Sequence, residues 1–367
     1  MKLIKQTTNF FTDIIKNPSL TLRLTLLYLI VLFYLLICPF PCSVRAEESI
    51  VPILTYHNFT QEAGESYKIN LEDFEEQMYY LASHNYSIIS LSQLLAVKNK
   101  NELPPKPVVI TIDDGYKSTY TLAYPILRKY NFPATLFVYT DFIEKNQYSL
   151  TWKEIREMAN HNFEIGSHSV SHPNLLQYKE KESEADYLSR IKKEIFLSKE
   201  ILEKKLERPI KFFAYPYGVY SPQIKELVLL AGYQGILNAN SMNNYLDIDP
   251  TSINRQIIYG NNHIDSFIEI LNQQIISASI VFPPDGEILL DQYAKIGALL
   301  EDSNLDERSL NMKLGGAKVK FDFFPETGEI SFNPFHPLIK KSYIVNISAK
   351  DKNNQFSKKI SWLITVK

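Results

Sequence analysis

Cysteine is nearly absent from this chain of 367 residues. Its two cysteines, Cys38 and Cys42, both lie in the hydrophobic N-terminal region. The remainder therefore cannot hold a disulfide framework or a cysteine-based metal site. An excess of positive charge is also missing, because 39 basic residues face 41 acidic ones, for a net charge of −2. A nucleic-acid-binding domain would show a basic stripe, so we predict no nucleic-acid partner.

The N-terminus has the pattern of an export signal. Basic residues precede Leu24–Ile37, a run of residues without charge, and Val44 and Ala46 place small or modest side chains at the cleavage site. This order is typical of a secretory signal peptide. A longer apolar stretch, residues 20–40, just reaches the length of about twenty residues that a membrane span needs. We predict that residues 1–46 are a signal peptide or a membrane anchor, with possible membrane association, and that the body is extracytoplasmic (secreted, periplasmic or at the cell surface).

The next part of the chain, predicted as a domain over residues 47–277, alternates strands with helices. Such alternation indicates an α/β fold with a parallel sheet or an α/β barrel. Capping patterns at Thr151–Glu154, Ser221-Pro222 and Ser266–Glu269 predict the starts of three of its helices. In these folds, chemistry collects at the C-terminal ends of the strands. His57, the pair Asp113-Asp114 and His168 all follow predicted strands.

Two aspartates stand side by side at the end of the apolar run Val108–Ile110. Adjacent buried carboxylates repel each other unless a cation, a proton or hydrogen bonds offset the repulsion. The simpler interpretation of Asp114-Gly115 is a tight turn that closes a hairpin. The residues alone leave both interpretations open.

Two histidines, His168 and His172, stand four residues apart in His-Ser-Val-Ser-His. At this spacing both imidazoles can reach one metal ion. Together with one carboxylate of the aspartate pair they form a three-ligand set with open positions, which is the arrangement of a hydrolytic metal centre. The second carboxylate could then act as a base. Zn suits this ligand set, and Co, Ni or Fe are alternatives.

Three ordered segments carry a family resemblance: Thr111–Gly115 (TIDDG), His168–His172 (HSVSH) and Phe213–Gly218 (FAYPYG). They resemble the first three motifs of the polysaccharide deacetylases (NodB-like, carbohydrate esterase family 4). The resemblance covers about residues 51–275. It implies a distorted (β/α) barrel and hydrolysis of the N-acetyl group of a hexosamine polymer. The opening Leu54–His57 (LTYH) is similar to the branch that deacetylates poly-β-1,6-N-acetylglucosamine, so the implied substrate is an extracellular polysaccharide.

The resemblance also implies roles for single residues. Asp113 would be the general base, and Asp114, His168 and His172 would be the metal ligands. His57 would protonate the leaving amine, although a histidine at the end of a strand is often only structural.

The third motif supplies the expected oxyanion site. The backbone N–H of Tyr217 would bind the oxyanion, with Pro216 and Gly218 setting the geometry of the turn. A turn of this composition without any catalytic role is the alternative.

The sequence departs from the wider family in two places. The third motif usually carries an arginine that orients the catalytic aspartate, and here the position is Ala214. A late Leu-x-His motif is also missing, since His263 is a poor match. We predict that Arg255 replaces the missing arginine beside Asp113. A further three histidines have no partner motif and are predicted to be structural or surface residues: His84, His161 and His336.

The C-terminal part, predicted as a domain over residues 278–367, loses helical periodicity. Short β-branched or alternating segments are separated by turn residues such as Gly315-Gly316 and Asp351–Asn354. This spacing predicts an all-β sandwich of immunoglobulin type. No chemistry is visible in it, and we expect it to be a spacer or a domain that flanks the substrate groove.

Two other functions are compatible with these residues. The first is a peptidoglycan or chitin-oligomer deacetylase, which shares the chemistry and differs in the shape of its groove. The second is a catalytically idle polysaccharide-binding protein on the same fold, for which the absence of an arginine at Ala214 is the argument.

Overall fold

The computed structural model describes residues 50–97 and 102–367. The predicted signal or anchor segment, residues 1–46, lies outside the described residues. Among the described residues, no helix has the length and apolar character needed to cross a membrane. Strands and helices alternate up to residue 272, and only strands follow.

The first region contains seven α-helices and twelve strands among the described residues. The helices are α1 Leu71–Ser83, α2 Leu91–Ala96, α3 Tyr124–Lys129, α4 Trp152–Ala159, α5 Glu184–Leu206, α6 Pro222–Leu230 and α7 Ile264–Asn272. The strands are β1 Ile50–Val51, β2 Ile53–Tyr56, β3 Asn58–Thr60, β4 Lys68–Asn70, β5 Ser87–Ile88, β6 Pro107–Ile112, β7 Ala134–Val138, β8 Phe163–Ser167, β9 Phe212–Ala214, β10 Gly235–Leu237, β11 Asn244–Tyr245 and β12 Gln256–Ile257. Short helical turns of other types cover Thr119–Ala123, Thr140–Phe142 and Pro216–Gly218.

A curled parallel sheet forms the centre of this region. Its strands follow the order β12-β2-β6-β7-β8-β9-β10, with β5 beside β6, and every pairing is parallel. The two ends of the row approach each other where Leu237, at the end of β10, forms a bridge with Ile253, just before β12. Every residue of β6 is buried, as expected for a strand covered on both faces. The predicted α/β fold with a parallel sheet is confirmed, and this sheet curls into a half-barrel.

The helix starts agree with the sequence except at α7. Thr151 and Glu154 form the predicted capping box of α4, and Ser221 caps α6 with Pro222 at its first position. The prediction that a box at Ser266 opens the last helix is wrong. α7 begins at Ile264, and the Ser266 hydroxyl instead donates to the His263 carbonyl inside the first turn. A serine within a first turn can bond backward in this way, so its spacing to an acid does not locate the helix start.

The C-terminal region consists of two sheets over a shared hydrophobic core. Its strands are β13 Gln274–Ile275, β14 Ala278–Phe282, β15 Glu287–Leu289, β16 Ile296–Leu300, β17 Leu305–Leu314, β18 Ala317–Lys318, β19 Asp322–Phe324, β20 Glu329–Phe332, β21 Ser342–Asp351 and β22 Ser357–Val366. One sheet has the order β13-β22-β21-β17-β18 with β15 beside β22, and the other has the order β14-β16-β20-β19. Met312, Ile330 and Trp362 belong to the buried cluster between them. β13 already pairs with β22, so this sheet begins upstream of residue 278. The immunoglobulin type stays a prediction.

Candidate active site

The polar residues of the site follow adjacent parallel strands. His57 comes after β2, Asp113 and Asp114 come after β6, and His168 comes after β8. β2 and β6 are in register up to Tyr56 and Ile112, and the Asp113 amide donates to the Tyr56 carbonyl at 2.9 Å. Because carboxyl ends of parallel strands meet at one edge of a sheet, these side chains converge there.

Asp114, His168 and His172 form a cluster with the composition of a metal site. One ligand atom from each lies within 4.8 Å of the others. His172 Nε2 is 3.5 Å from Asp114 Oδ1 and 3.1 Å from His168 Nε2, while His168 Nε2 is 3.8 Å from Asp114 Oδ1. Two imidazoles and one carboxylate arranged in this way can bind one divalent ion and leave positions open.

The orientation of His168 favours metal binding through Nε2. Its Nδ1 lies 2.7 Å from the Ala214 carbonyl oxygen, which can only accept a hydrogen bond. Nδ1 therefore carries the proton, and Nε2 presents a lone pair toward the cluster. Burial lowers the pKa of His168 to about 3, so the ring is neutral, as a ligand must be. Ala214 thus contributes its backbone to the site although it lacks the expected arginine side chain.

The loop that carries both histidines is held by Glu194 of helix α5. The Glu194 carboxylate accepts hydrogen bonds from the amides of Val170 and Ser171 at 3.0 and 2.9 Å and from the Ser171 hydroxyl at 2.7 Å. Inside the loop, the His172 amide donates to the hydroxyl of the buried Ser169 at 3.0 Å. Sequence reasoning missed Glu194, because one acid on a long charged helix gives no local signal.

Arg255 lies against Asp113, at the position for which the sequence analysis proposed it. Its guanidinium donates to Asp113 Oδ1 at 2.8 Å and, through Nε, to the Asn238 carbonyl at 2.9 Å. The side chains of Arg255 and Asp113 are only 3% and 2% exposed. Burial is the largest single effect and would raise the pKa of Asp113. The charges of Arg255, His168 and His57 and the hydrogen bond from Arg255 together outweigh it and lower the pKa to about 2. The orienting role of Arg255 stays a prediction.

Asp114, the second aspartate, has a raised pKa, whereas the pKa of Asp113 is lowered. Burial and the neighbouring charge of Asp113 raise the pKa of Asp114 to about 7. A positive ion at the cluster would offset that repulsion and keep Asp114 ionised. The donor set and this uncompensated charge both fit a divalent metal held by Asp114, His168 and His172.

A left-handed turn forms the other wall of the site. Tyr217 has φ 59° and ψ 8°, and its ring lies 4.6 Å from the ring of His172. Gly218 follows with φ +66°, and a Cβ added there would come within 2.3 Å of the Ala239 methyl. Glycine is required at this position by both the conformation and the close approach. The turn begins at the buried Pro216.

His57 lies near the aspartate pair, and one of its ring nitrogens has no hydrogen-bond partner. Its Nδ1 is buried without a hydrogen-bond partner, and its ring lies 4.9 Å from that of Tyr67. Burial lowers the pKa of His57 to about 4, and the charge of Asp113 acts in the opposite direction. The resting imidazole is therefore neutral.

All nine residues predicted for the site except Pro216 line one cavity of about 590 Å³. Sequence reasoning missed most of its rim, including the aromatic residues Tyr67, Tyr116 and Tyr139. Rim tyrosines in loops follow no periodic pattern, so only the fold brings them together. The four other histidines, His84, His161, His263 and His336, do not line the cavity. His263 precedes helix α7, with its ring 3.1 Å from Asp73.

Comparison with known sequences finds a matching family and a similar protein. Residues 100–236 match the family described as Polysaccharide deacetylase. A poly-beta-1,6-N-acetyl-D-glucosamine N-deacetylase of Staphylococcus aureus is 32% identical over 177 residues, which are 46% of this chain and 61% of that protein. The match thus spans less than two thirds of the relative's length.

Comparison with solved structures gives the same fold. The Streptococcus pyogenes deacetylase PplD, determined in complex with acetate, aligns with a TM-score of 0.54 and 27% identity, covering 61% of this chain and 98% of that one. IcaB from Ammonifex degensii aligns with a TM-score of 0.53 and 21% identity, covering 60% and 95%. At that identity, the likeness to IcaB is a likeness of fold.

Proposed function

We propose that this chain, whose residues 100–236 match the polysaccharide deacetylase family, is an exported metal-dependent enzyme that removes N-acetyl groups from a hexosamine polymer. The proposed polymer is poly-N-acetylglucosamine, and the proposed products are acetate and free glucosamine amines. The similarity to the S. aureus poly-N-acetylglucosamine deacetylase supports this choice of polymer. Export rests on the sequence pattern of residues 1–46, and we retain the immunoglobulin-type sandwich as the proposed class of the C-terminal region.

The observation that carries the proposal is the placement of a buried ionised carboxylate beside a three-ligand cluster. Asp113 Oδ2 is 3.8 Å from His168 Nε2, while Asp113 Oδ1 is engaged by Arg255. Asp113 therefore has one oxygen fixed and one facing the cluster. That arrangement suits a general base that acts on a water in the cavity.

A divalent metal held by Asp114, His168 and His172 would supply positive charge that activates water and polarises the acetamide carbonyl. Zn is the proposed ion, and Co, Ni or Fe would fit the same ligands.

The chain's own residues perform the proton transfers. Asp113 Oδ2 accepts the proton of the attacking water, while Arg255 keeps this carboxylate in place. The backbone N–H of Tyr217, fixed by the turn around Gly218, stabilises the negative oxygen of the tetrahedral intermediate. His57 protonates the departing amine. Since its resting ring is neutral, His57 must take up a proton from solvent before Asp113 accepts the proton of the attacking water, while the negative charge of Asp113 still favours that uptake.

The test separates metal binding from base catalysis with two variants of adjacent residues. Asp114→Asn should lose both bound metal and acetate release, because the carboxylate ligand is gone. Asp113→Asn should keep the metal but lose acetate release, because only the base is gone. Metal content and acetate are measured on the same samples. Normal turnover by Asp114→Asn would show that the ligand assignment is wrong.

A substrate panel addresses the two rival functions. Acetate release is compared on poly-N-acetylglucosamine, chitin oligomers and peptidoglycan, with and without a chelator. Faster acetate release from chitin oligomers or peptidoglycan would assign that polymer as the substrate in place of poly-N-acetylglucosamine. Binding of a polymer without acetate release from any of them would favour the idle binding protein.

A further inference from the structure

The C-terminal β-region reaches the active site through one short segment of the barrel. The segment Asn238–Ser241 follows strand β10, and both Asn238 and Asn240 are 1% exposed. It begins directly where the row of parallel strands closes, since the Asn238 amide donates to the Ile253 carbonyl at 2.9 Å. Residues 50–367 form a single compact unit, which includes both regions.

On its catalytic side, the segment contacts two parts of the proposed machinery. The Asn238 carbonyl accepts the Nε–H of Arg255 at 2.9 Å, and Arg255 in turn donates to Asp113 at 2.8 Å. The methyl group of Ala239 lies against Gly218, where it leaves no space for a side chain. The segment therefore borders both the arginine that fixes the base and the turn that carries the oxyanion site.

On its other side, the segment is anchored by the C-terminal region. The Asp285 carboxylate accepts the Tyr220 hydroxyl at 2.5 Å and the Asn240 side-chain amide at 3.3 Å, and one of its oxygens also accepts the Leu363 amide of β22 at 2.8 Å. Asp285 thus joins strand β22 to the segment. The neighbouring Lys359, also on β22, donates from Nζ to the Ser241 hydroxyl at 3.0 Å.

The hydrogen bonds form a continuous path from the C-terminal region to the base. Asp285 accepts a hydrogen bond from the side chain of Asn240, and the backbone amide of Asn240 donates to Asn238 Oδ1 at 2.9 Å. Asn238 holds Arg255, and Arg255 holds Asp113. Displacement of a catalytic group by about 1 Å can cost two orders of magnitude in rate, so a loosened segment should be visible in turnover.

We propose that the C-terminal β-region completes the catalytic site, with Asp285 as a positioning residue that holds Asn238–Ser241 and, through it, Arg255 and Asp113. This inference rests on the proposed deacetylase function for its kinetic consequence. It assigns the C-terminal region a part in catalysis rather than the part of a spacer.

The experiment compares Asp285→Ala with a matched carboxylate of the same region. Asp302 pairs with Lys358 at 2.7 Å, with both side chains about 10% exposed, and their side-chain hydrogen bonds join them to each other and to the Asn304 amide, not to the segment. Asp302→Ala therefore removes a shielded ion pair without opening the path. We expect Asp285→Ala to lower kcat roughly tenfold while KM and metal content stay within about twofold of the wild type. Asp302→Ala should keep the wild-type kcat.

Hydrogen exchange supplies a readout that needs no substrate. In Asp285→Ala, peptides that cover residues 236–256 and 213–219 should exchange faster than in the wild type, and in Asp302→Ala they should not. If Asp285→Ala does not fold, Tyr220→Phe removes one of the donors to Asp285 and should show the same pattern in weaker form.

Two results would overturn the inference: unchanged exchange in these peptides, or an equal loss of kcat in both aspartate variants. A wild-type protein that releases no acetate from any polymer would instead overturn the proposed function. Even then, the exchange measurement would still decide whether Asp285 holds the segment.

Discussion

Replacement of Arg255 by alanine is the sharpest perturbation of the proposed base. Arg255 and Asp113 are 3% and 2% exposed, so the substitution leaves a carboxylate shielded from water without its cation. Removing one partner of such a buried pair costs roughly 3–5 kcal/mol of folding free energy. A general base typically contributes 10²–10⁴-fold to rate, and Asp113 would lose its fixed orientation rather than its carboxylate. We therefore expect kcat to fall by about 100-fold, at the low end of that range.

Arg255→Lys keeps the charge but cannot bond both Asp113 and Asn238 with the same planar group, so it should lie between alanine and the wild type. The control is Arg190→Ala, which breaks the 2.7 Å ion pair with Glu182 beside helix α5 and outside the cavity. Steady-state acetate release gives kcat and KM, thermal unfolding gives stability, and metal analysis checks that the cluster is intact. If kcat of a folded, metal-loaded Arg255→Ala protein lies within twofold of the wild type, Arg255 does not orient the base.

Three further results are expected. Glu194→Ala should weaken metal binding by about 10–100-fold, because the histidine loop loses its acceptor, and competition with a chromophoric chelator would detect this; unchanged affinity would contradict it. Gly218→Ala should destabilise the fold and lower turnover, whereas Gly232→Ala, with φ +80° and nothing within 4 Å of the added methyl group, should cost only about 1–2 kcal/mol of backbone strain and leave turnover unchanged. Equal effects of the two substitutions would remove the argument for close packing. Finally, dialysis against a chelator should abolish acetate release and added Zn²⁺ should restore it, and activity that persists in metal-free protein would exclude the proposed chemistry.

The central part of the candidate site could be predicted because its residues directly follow buried strands, which the local sequence pattern reveals. Val108–Ile112 is a buried strand in sequence and in structure, so Asp113 and Asp114 had to emerge at its carboxyl end. The same argument placed His57 and His168 at that edge. The α/β alternation and the long strands β17, β21 and β22 of the C-terminal region were visible for the same reason, since apolar periodicity follows burial.

The parts that sequence reasoning missed depend on contacts between distant segments. Glu194 meets the histidine loop only because helix α5 packs across it, and Asp285 meets Asn240 only after both regions have folded. Arg255 was proposed from the resemblance to a family motif rather than from any local pattern. At Ser266, by contrast, a local pattern was present, but the helix begins at Ile264 instead.

The left-handed backbone at the site lowers the stability of the fold at residues that the proposed catalysis requires. Asp114, His172 and Tyr217 have φ values of 76°, 56° and 59°, a conformation that costs an ordinary residue roughly 1–2 kcal/mol. Glycine would relieve this strain at each position, but at Asp114 and His172 it would delete a proposed metal ligand. Selection of variants for thermal stability alone should therefore enrich glycine at Asp114 and His172. The selected proteins would unfold at higher temperature but would no longer turn over substrate. Heat-resistant variants that keep glycine out of these positions would have to gain their stability elsewhere in the chain.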